Sequence, residues 1–291
     1  MQYQGTVIRP PSEAHSIILQ VTLGCSHNRC TFCGAYRDKP FSIRPWVEIL
    51  KDIEFARTCC TRQKTLFLAD GNALAMPYLQ LVRLLEEIRI QLPWVRRVGL
   101  YAGCRDILAC DADSLRRLKE LGLGRIYMGL ESGDDNVLHA VNKGATGRDM
   151  ITAGRMVRDV GIFLSVTCLL GLAGADPEAS FAHARNTAKV LNLMRPSQIA
   201  VLTLMLLDNT PLGRKAAQGL FSLPDKQQLF LELQAMILAL GDFRAQFQAN
   251  HASNYFQLDG RLPRDREKFL ALIDEVLQGR RSVKPERLRA L

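Results

Sequence analysis

Three cysteines fall within nine residues, Cys25-Ser26-His27-Asn28-Arg29-Cys30-Thr31-Phe32-Cys33, a C-x4-C-x2-C spacing. Thiolates this close in one loop can hold one metal centre, and three protein ligands leave a fourth position for substrate or cofactor. His27 offers a different outcome, a closed Cys3His zinc site. The other cysteines, Cys59, Cys60, Cys104, Cys110 and Cys168, form no second C-x2-C pair. Cys168 lies inside an apolar run and reads as a small core residue.

The elements that position this loop can be read from periodicity. The apolar run from Ile17 to Thr22 just before it predicts a buried strand. Pro45 opens a helix with Trp46, Ile49, Leu50 and Ile53 at helical spacing. Strands then follow at 65–69, 98–101, 125–130, 162–170 and 198–206. Helices are predicted at 77–90, on a stripe of Leu79, Val82, Leu85 and Ile88, and at 113–121, 134–141, 147–159 and 177–193. Such alternation predicts parallel β/α units. Six strands suit an α/β fold built as a partial (β/α)6, TIM-like barrel over residues 1–212. Residues 213–291 read as a helical C-terminal extension, with one long helix over 224–249, another over 263–277 and a basic tail.

The chain of 291 residues carries 38 basic and 29 acidic residues, a net charge of +9. That excess suits nucleic acid or a small anionic substrate. The tail from Arg280 to Arg289 reads as a solvated end in preference to an RNA-binding arm. No apolar stretch reaches the length of a membrane span, and Met1-Gln2-Tyr3-Gln4-Gly5 lacks the look of a signal segment. The expectation is a cytoplasmic protein with no membrane partner, whose cysteines are thiols or metal ligands.

Ligands of parallel β/α proteins bind outside the carboxyl ends of the strands. Polar and glycine-bearing sequences recur there: Asp70-Gly71-Asn72, Gly103-Cys104-Arg105-Asp106, Glu131-Ser132-Gly133 and Gly171-Leu172-Ala173-Gly174. Glycines admit a ligand to the backbone, while Asp, Asn, Glu and Ser supply directional contacts. Each loop taken singly could be an ordinary turn. Their recurrence points to a shared pocket.

The cysteine loop, with Phe32 before its last cysteine, resembles the cluster loop of radical S-adenosylmethionine (radical SAM) enzymes. Gly129-Leu130-Glu131-Ser132-Gly133 with Asn142-Lys143-Gly144 is similar to a segment of the coproporphyrinogen-oxidase-like, methylthiotransferase and Elongator-catalytic-subunit branches. The commonest family spacing is C-x3-C-x2-C, so this loop carries one extra residue. The resemblance spans roughly residues 17–212. It implies a [4Fe–4S] cluster on Cys25, Cys30 and Cys33, with S-adenosylmethionine chelating the fourth iron and yielding a 5′-deoxyadenosyl radical. It also implies that Asp70, Gly71 and Asn72 meet the methionine amino group. Glu131 and Ser132 would meet ribose hydroxyls or the amino-acid end, Lys143 the methionine carboxylate, and Phe32 the adenine. The further partners it implies are an electron donor such as flavodoxin or ferredoxin and an unidentified substrate, favoured as a small molecule.

His251, Asn254 and Tyr255 lie between two predicted helices and could contact substrate or anchor the extension. His183, within a helix, reads as structural. No residue is singled out as catalytic. The competing readings are a zinc-stabilised RNA-binding protein and a radical SAM RNA-modifying enzyme.

Overall fold

The predicted alternation of strand and helix is present in the structure, a computed structural model that describes residues 1–290. Its chain divides into two compact units. The first comprises residues 1–28, 35–128 and 156–164. It begins with β1 (Ile17–Gln20); β2 (Thr22–Leu23) then pairs antiparallel with β3 (Ser42–Ile43). Next come α1 (Trp46–Cys59), β4 (Thr65–Ala69), α2 (Tyr78–Gln91), β5 (Arg97–Tyr101), α3 (Cys104–Leu108), α4 (Ala112–Glu120) and the start of β6 (Leu123–Glu131). β1, β4, β5 and β6 are parallel, in register through Leu19↔Leu68↔Leu100↔Ile126. Because these strands are covered on both faces they are apolar almost throughout. Leu81, Leu84, Leu85 and Ile88 form the buried stripe of α2. Leu79, predicted to share that stripe, points to solvent at 77% exposure. The apolar face lies one position round the helix from the predicted one.

The second unit comprises residues 29–34, 129–155 and 165–291. It holds α5 (Asp135–Ala140), most of α6 (Gly147–Asp159), most of β7 (Phe163–Leu170), α7 (Pro177–Met194), β8 (Gln198–Thr203) and α8 (Pro211–Ala217). These are followed by α9 (Lys226–Ala239), β9 (Ala245–Ala249), β10 (Leu258–Leu262) and α10 (Arg266–Leu277). Helix starts follow ordinary capping chemistry. Asp176 accepts from Ala179 N with Pro177 in the first turn, and Thr210 accepts from Gly213 N.

The helix expected over 224–249 is corrected. It stops at Ala239, and Ala245, Phe247 and Ala249 are buried while Gln246 and Gln248 are half-buried. Period 3.6 gives way to period 2 after Gly241, and a strand forms. β9 pairs parallel with β8 through Ile199↔Phe247, and β10 runs antiparallel to β9. The C-terminal part is therefore mixed α and β, not helical. With these two strands the sheet has eight, in the order β1-β4-β5-β6-β7-β8-β9-β10, against six expected. The α/β, mostly parallel, partial-barrel class stands. Among the described residues no helix is long and apolar enough to cross a membrane.

The basic tail is largely the solvated end expected, with Arg280, Arg281 and Arg287 exposed, and Arg289 is the exception. Arg289 is buried and donates to Ser253 O at 2.6 Å and Leu204 O at 2.9 Å. Two loop carbonyls and a guanidinium are satisfied together, which fastens the tail to the loops after β8 and β9.

Candidate functional site

In the first unit the end of β4 delivers Asp70, with no solvent exposure. Its Oδ2 accepts from Lys39 Nζ at 2.9 Å, and its backbone N–H donates to Thr22 Oγ1 at 3.1 Å. Oδ1 is buried without a hydrogen-bond partner among the described residues. A carboxylate oxygen in that condition retains full acceptor capacity. Tyr36 lies beside it; burial, the Asp70 charge and hydrogen bonding to that carboxylate push its phenol well above the usual tyrosine range. Gly71 follows, and a Cβ there would meet the Tyr36 ring at 2.7 Å and Gly24 O at 2.8 Å. Asn72 is buried and heavily used. Its Nδ2 donates to Ser26 Oγ at 2.6 Å and Asp106 Oδ2 at 2.5 Å, and its Oδ1 accepts from Gly103 N at 3.2 Å. Asn72 thus ties the cysteine loop to the loop after β5.

In the second unit the end of β6 delivers Glu131, a non-glycine residue at φ +63°. That conformation costs about 1–3 kcal/mol and persists only where surroundings hold it. What holds it is Lys143, whose Nζ is 3.0 Å from Glu131 Oε1, the side chains being 16% and 12% exposed. Gly129 leaves room for the pair, since a Cβ there would meet Lys143 Nζ at 3.0 Å. Burial pulls the Lys143 pKa down, but Glu131 and the thiols of Cys30 and Cys33 outweigh it and raise it above the usual lysine range. Lys143 is therefore an ammonium facing two of the three loop cysteines.

Residues 29–34 are stitched into this unit. Thr31 N donates to Val141 O and Thr31 O accepts from Leu212 N, both at 2.9 Å. Asn209 Nδ2 donates to Gly34 O at 3.2 Å. Phe32 packs against an apolar cluster of Val141, Leu169, Leu172, Leu204 and Leu212. Cys25 belongs to the first unit and Cys30 and Cys33 to the second. Among the described residues no three His, Cys, Asp or Glu side chains are gathered in metal-holding geometry.

Ser132 is buried and its hydroxyl is committed internally. Ser132 Oγ lies 2.7 Å from His183 Nδ1 and accepts from Asp134 N at 2.9 Å. His183 Nε2 is 3.1 Å from Leu169 O and 3.5 Å from Glu232 Oε1, both acceptors, so Nε2 carries a proton. Glu232, buried beneath, takes Gly171 N at 2.9 Å and Ser180 Oγ at 2.5 Å. Burial raises its pKa, against the His183, Ser180 and Gly171 contacts that lower it. Gly133 sits on α7, where a Cβ would meet Thr187 Cα at 2.6 Å.

The C-terminal candidates all make hydrogen bonds within the chain. Asn254 is buried, with Nδ2 on Val201 O at 2.7 Å and Oδ1 accepting from Thr203 Oγ1 at 2.9 Å. Tyr255 bonds Glu286 and accepts from Arg289 at 2.8 Å, with that guanidinium 4.3 Å from its ring centroid. His251 Nδ1 accepts from Ser253 N at 3.1 Å, and burial with the Lys284 charge lowers its pKa. Lys39 and Tyr36, both in contact with Asp70 or Gly71, had no signal in the sequence beyond their nearness to the cysteine loop, whereas Asp106 lies in a strand-end loop that the sequence singled out.

A cysteine loop and polar turns at the carboxyl ends of parallel strands define a cofactor-binding α/β protein of partial-barrel type. Residues 19–181, more than half of the chain, match the Radical SAM superfamily, and the chain belongs to it. The cofactors of that superfamily are S-adenosylmethionine and a [4Fe–4S] cluster, and membership of it disfavours the zinc-stabilised RNA-binding reading. The chain is 24% identical over 211 residues to the heme chaperone HemW of Bacillus subtilis, covering 70% of this chain and 54% of HemW. It thus spans about half the length of that relative. The coproporphyrinogen III oxidase HemN of Escherichia coli has a similar fold, at TM-score 0.56 and 19% identity over 77% of this chain and 51% of HemN. So does Elp3 of Methanocaldococcus infernus, at TM-score 0.53 and 14% identity over 92% and 64% of the two chains.

Proposed function

We propose that the chain binds a [4Fe–4S] cluster through Cys25, Cys30 and Cys33 and, with S-adenosylmethionine, acts on a small molecule. The observation that carries the reading is the largely buried Lys143–Glu131 pair facing Cys30 and Cys33. A fixed ammonium suits both a cluster of net negative charge and a ligand carboxylate. The partnerless Oδ1 of Asp70 suits an ammonium donor. The donor set therefore fits the cofactors: three thiols for iron, a carboxylate for the methionine amino group, a lysine for its carboxylate.

When bound, the cluster and S-adenosylmethionine together supply one-electron cleavage of a sulfonium and hence a carbon-centred oxidant. The protein's own residues bind and orient. Asp70 accepts, Lys143 donates, and Glu131 holds Lys143 in place with spare acceptor capacity for a hydroxyl. Gly71 admits a ligand to the backbone. Asn72 and Ser132 act one step behind, fixing loops through bonds already made. Phe32 supports the cysteine loop by packing. His251, Asn254 and Tyr255 fasten the C-terminal region in this reading. A low-potential donor such as flavodoxin or ferredoxin supplies the electron, in the cytoplasm.

A small substrate is favoured over RNA because part of the basic tail is engaged within the protein, although Arg280 and Arg287 are exposed. Arg289 is buried, Lys284 Nζ donates to Ala252 O at 3.1 Å, and Arg281 lies 5.2 Å from the Phe256 ring centroid. Anaerobic reconstitution with iron and sulfide, then reduction with S-adenosylmethionine present, tests the whole reading. The expected result is an iron–sulfur chromophore and 5′-deoxyadenosine, with both lost in Cys30→Ala. About one zinc per chain and no chromophore would overturn it.

A further inference from the structure

The first unit buries a group of titratable side chains that the proposed chemistry does not use. Tyr127, 5% exposed, donates from its hydroxyl to Glu13 Oε1 at 2.5 Å, and Glu13 has no exposed surface at all. Arg97 forks onto the same carboxylate at 2.8 and 2.9 Å, and Ser16 bonds its Oε2. Arg125 donates to the Tyr127 oxygen at 3.1 Å, and Ser12 Oγ lies 2.8 Å from it. Gly99 makes the arrangement possible, because a Cβ there would meet Glu13 Oε1 at 3.3 Å and the Tyr127 ring at 3.6 Å.

Tyr127 is also the inner member of an aromatic trio. Its ring centroid is 5.8 Å from both Tyr101 and Phe67, and Tyr101 is 5.1 Å from Phe67, all edge-to-face. Tyr101 is the last residue of β5, and the Asp70 carboxylate is close enough to help raise the phenol pKa of both Tyr101 and Tyr36. A string of phenols therefore leads from the end of β4 down to a buried carboxylate. Burial keeps the phenols protonated at neutral pH. A buried phenol gives up an electron readily only when its proton can leave at the same time, and Glu13 is the acceptor already in place.

We infer that Tyr127 and Glu13 form a proton-coupled oxidation site, fed through Tyr101, that takes up an oxidising equivalent escaping from radical chemistry at the strand ends. This rests on the proposed function for the source of the oxidant, a carbon-centred radical. In the first step that radical takes a hydrogen atom from the Tyr101 hydroxyl, becoming a C–H bond and leaving a Tyr101 phenoxyl. In the second an electron passes from Tyr127 to Tyr101. The Tyr127 proton moves to the Glu13 carboxylate, and Tyr101 regains a proton from solvent. The phenoxyl now on Tyr127 takes one electron from a small thiol and its proton back from Glu13; the thiol releases its own proton to solvent and leaves as a thiyl radical, two of which couple to a disulfide.

Two experiments test this separately from the source of the radical. In the first, the reconstituted protein is photo-oxidised by flash-quench with a ruthenium complex, in a Tyr3→Phe, Tyr78→Phe background that removes the two exposed phenols. The expected product is a neutral tyrosyl radical whose electron paramagnetic resonance signal narrows with ring-deuterated tyrosine. Tyr127→Phe leaves the hole on Tyr101, so the signal takes a different hyperfine pattern that Tyr101→Phe in turn removes, and Glu13→Gln, of equal size, slows formation of the Tyr127 signal. A signal unchanged in Tyr127→Phe and Glu13→Gln, with their folds intact by circular dichroism, overturns the inference. If Tyr127→Phe does not fold, Glu13→Gln alone decides.

In the second experiment the enzyme is reduced with S-adenosylmethionine and no substrate, then frozen. 5′-Deoxyadenosine together with the same Tyr127 radical supports the relay. 5′-Deoxyadenosine with no tyrosyl signal overturns it and leaves the proposed function standing. Absence of 5′-deoxyadenosine counts against the proposed function instead, and the photochemical experiment then decides on Tyr127.

Discussion

Lys143→Met removes the ammonium and keeps most of the stem. At 3.0 Å the lost attraction to Glu131 is about 5 kcal/mol at an effective dielectric near 20. The desolvation that the pair no longer suffers offsets much of that. Removing one partner of a fully buried pair costs about 3–5 kcal/mol, chiefly because the other charge is stranded. Here side chains 16% and 12% exposed let water reach Glu131, so about 2 kcal/mol is expected. Urea unfolding at neutral pH measures it as a shift in midpoint at constant slope. Glu131→Gln added to Lys143→Met removes the stranded charge, so the double variant should regain about 1 kcal/mol over strict additivity. Affinity for S-adenosylmethionine should fall about tenfold in Lys143→Met, equivalent to about 1.4 kcal/mol of one charged contact. A loss below about 0.5 kcal/mol with additive behaviour would place the pair among solvated surface bridges and refute the stability argument. Unchanged affinity with the stability loss intact would refute the ligand role alone.

Asn72→Ala breaks three bonds at a buried position and should cost about 2–3 kcal/mol in urea unfolding, and also lower the iron retained per chain after reconstitution. Glu232→Gln keeps an acceptor for Gly171 N and a partner for Ser180 without a buried charge, so it should change stability by less than about 1 kcal/mol. Glu232→Leu, which orphans both, should cost about 3 kcal/mol by the same measurement. His251 titrates lower in the folded protein than its ordinary value near 6.5, so the unfolded chain takes up the proton first on acidification. Its contribution is present above about pH 6.5 and is lost as pH falls through the lowered folded value. The charged group facing it is Lys284, and Ser253 bonds its ring. His251→Gln should flatten the pH dependence of thermal stability in that window, and an unaltered slope would count against the assignment.

Most of the fold was legible because long stretches obey one period. Helices at 147–159 and 177–193 and strands at 65–69 and 162–170 land within a residue or two of where the pattern puts them. The failure at 240–249 is equally instructive. The stripe of α9 continues in composition past Ala239, so Ala245, Phe247 and Ala249 look like more helix until their alternation with glutamine is weighed. What decides for strand is an edge on β8 waiting to be paired, a long-range fact that no local window holds. Arg289 misled for the same reason. In a run of basic residues nothing distinguishes the one whose fork finds two buried carbonyls.

For the candidate site, residue type singled out loops at strand ends but not how far each side chain in them is already engaged. Asp70, Asn72, Glu131, Ser132 and Asn254 all read alike from sequence, as polar groups at turns. Folding consumes them unequally. Asn254 makes two buried bonds, Ser132 bonds His183 and accepts from Asp134, and Asn72 has committed three. Asp70 retains a buried oxygen with no partner, and Lys143 spends one of its three donors on Glu131. A buried polar atom left unmatched costs about 1–3 kcal/mol, which a fold tolerates where a ligand later supplies the match. Capacity left over after the chain has satisfied itself is therefore the sharper mark of a binding residue than polarity or position at a strand end. By that measure Asp70 and Lys143 are the side chains whose loss should be felt in ligand affinity, while Asn72 and Ser132 should be felt first in the stability of the loops that carry them.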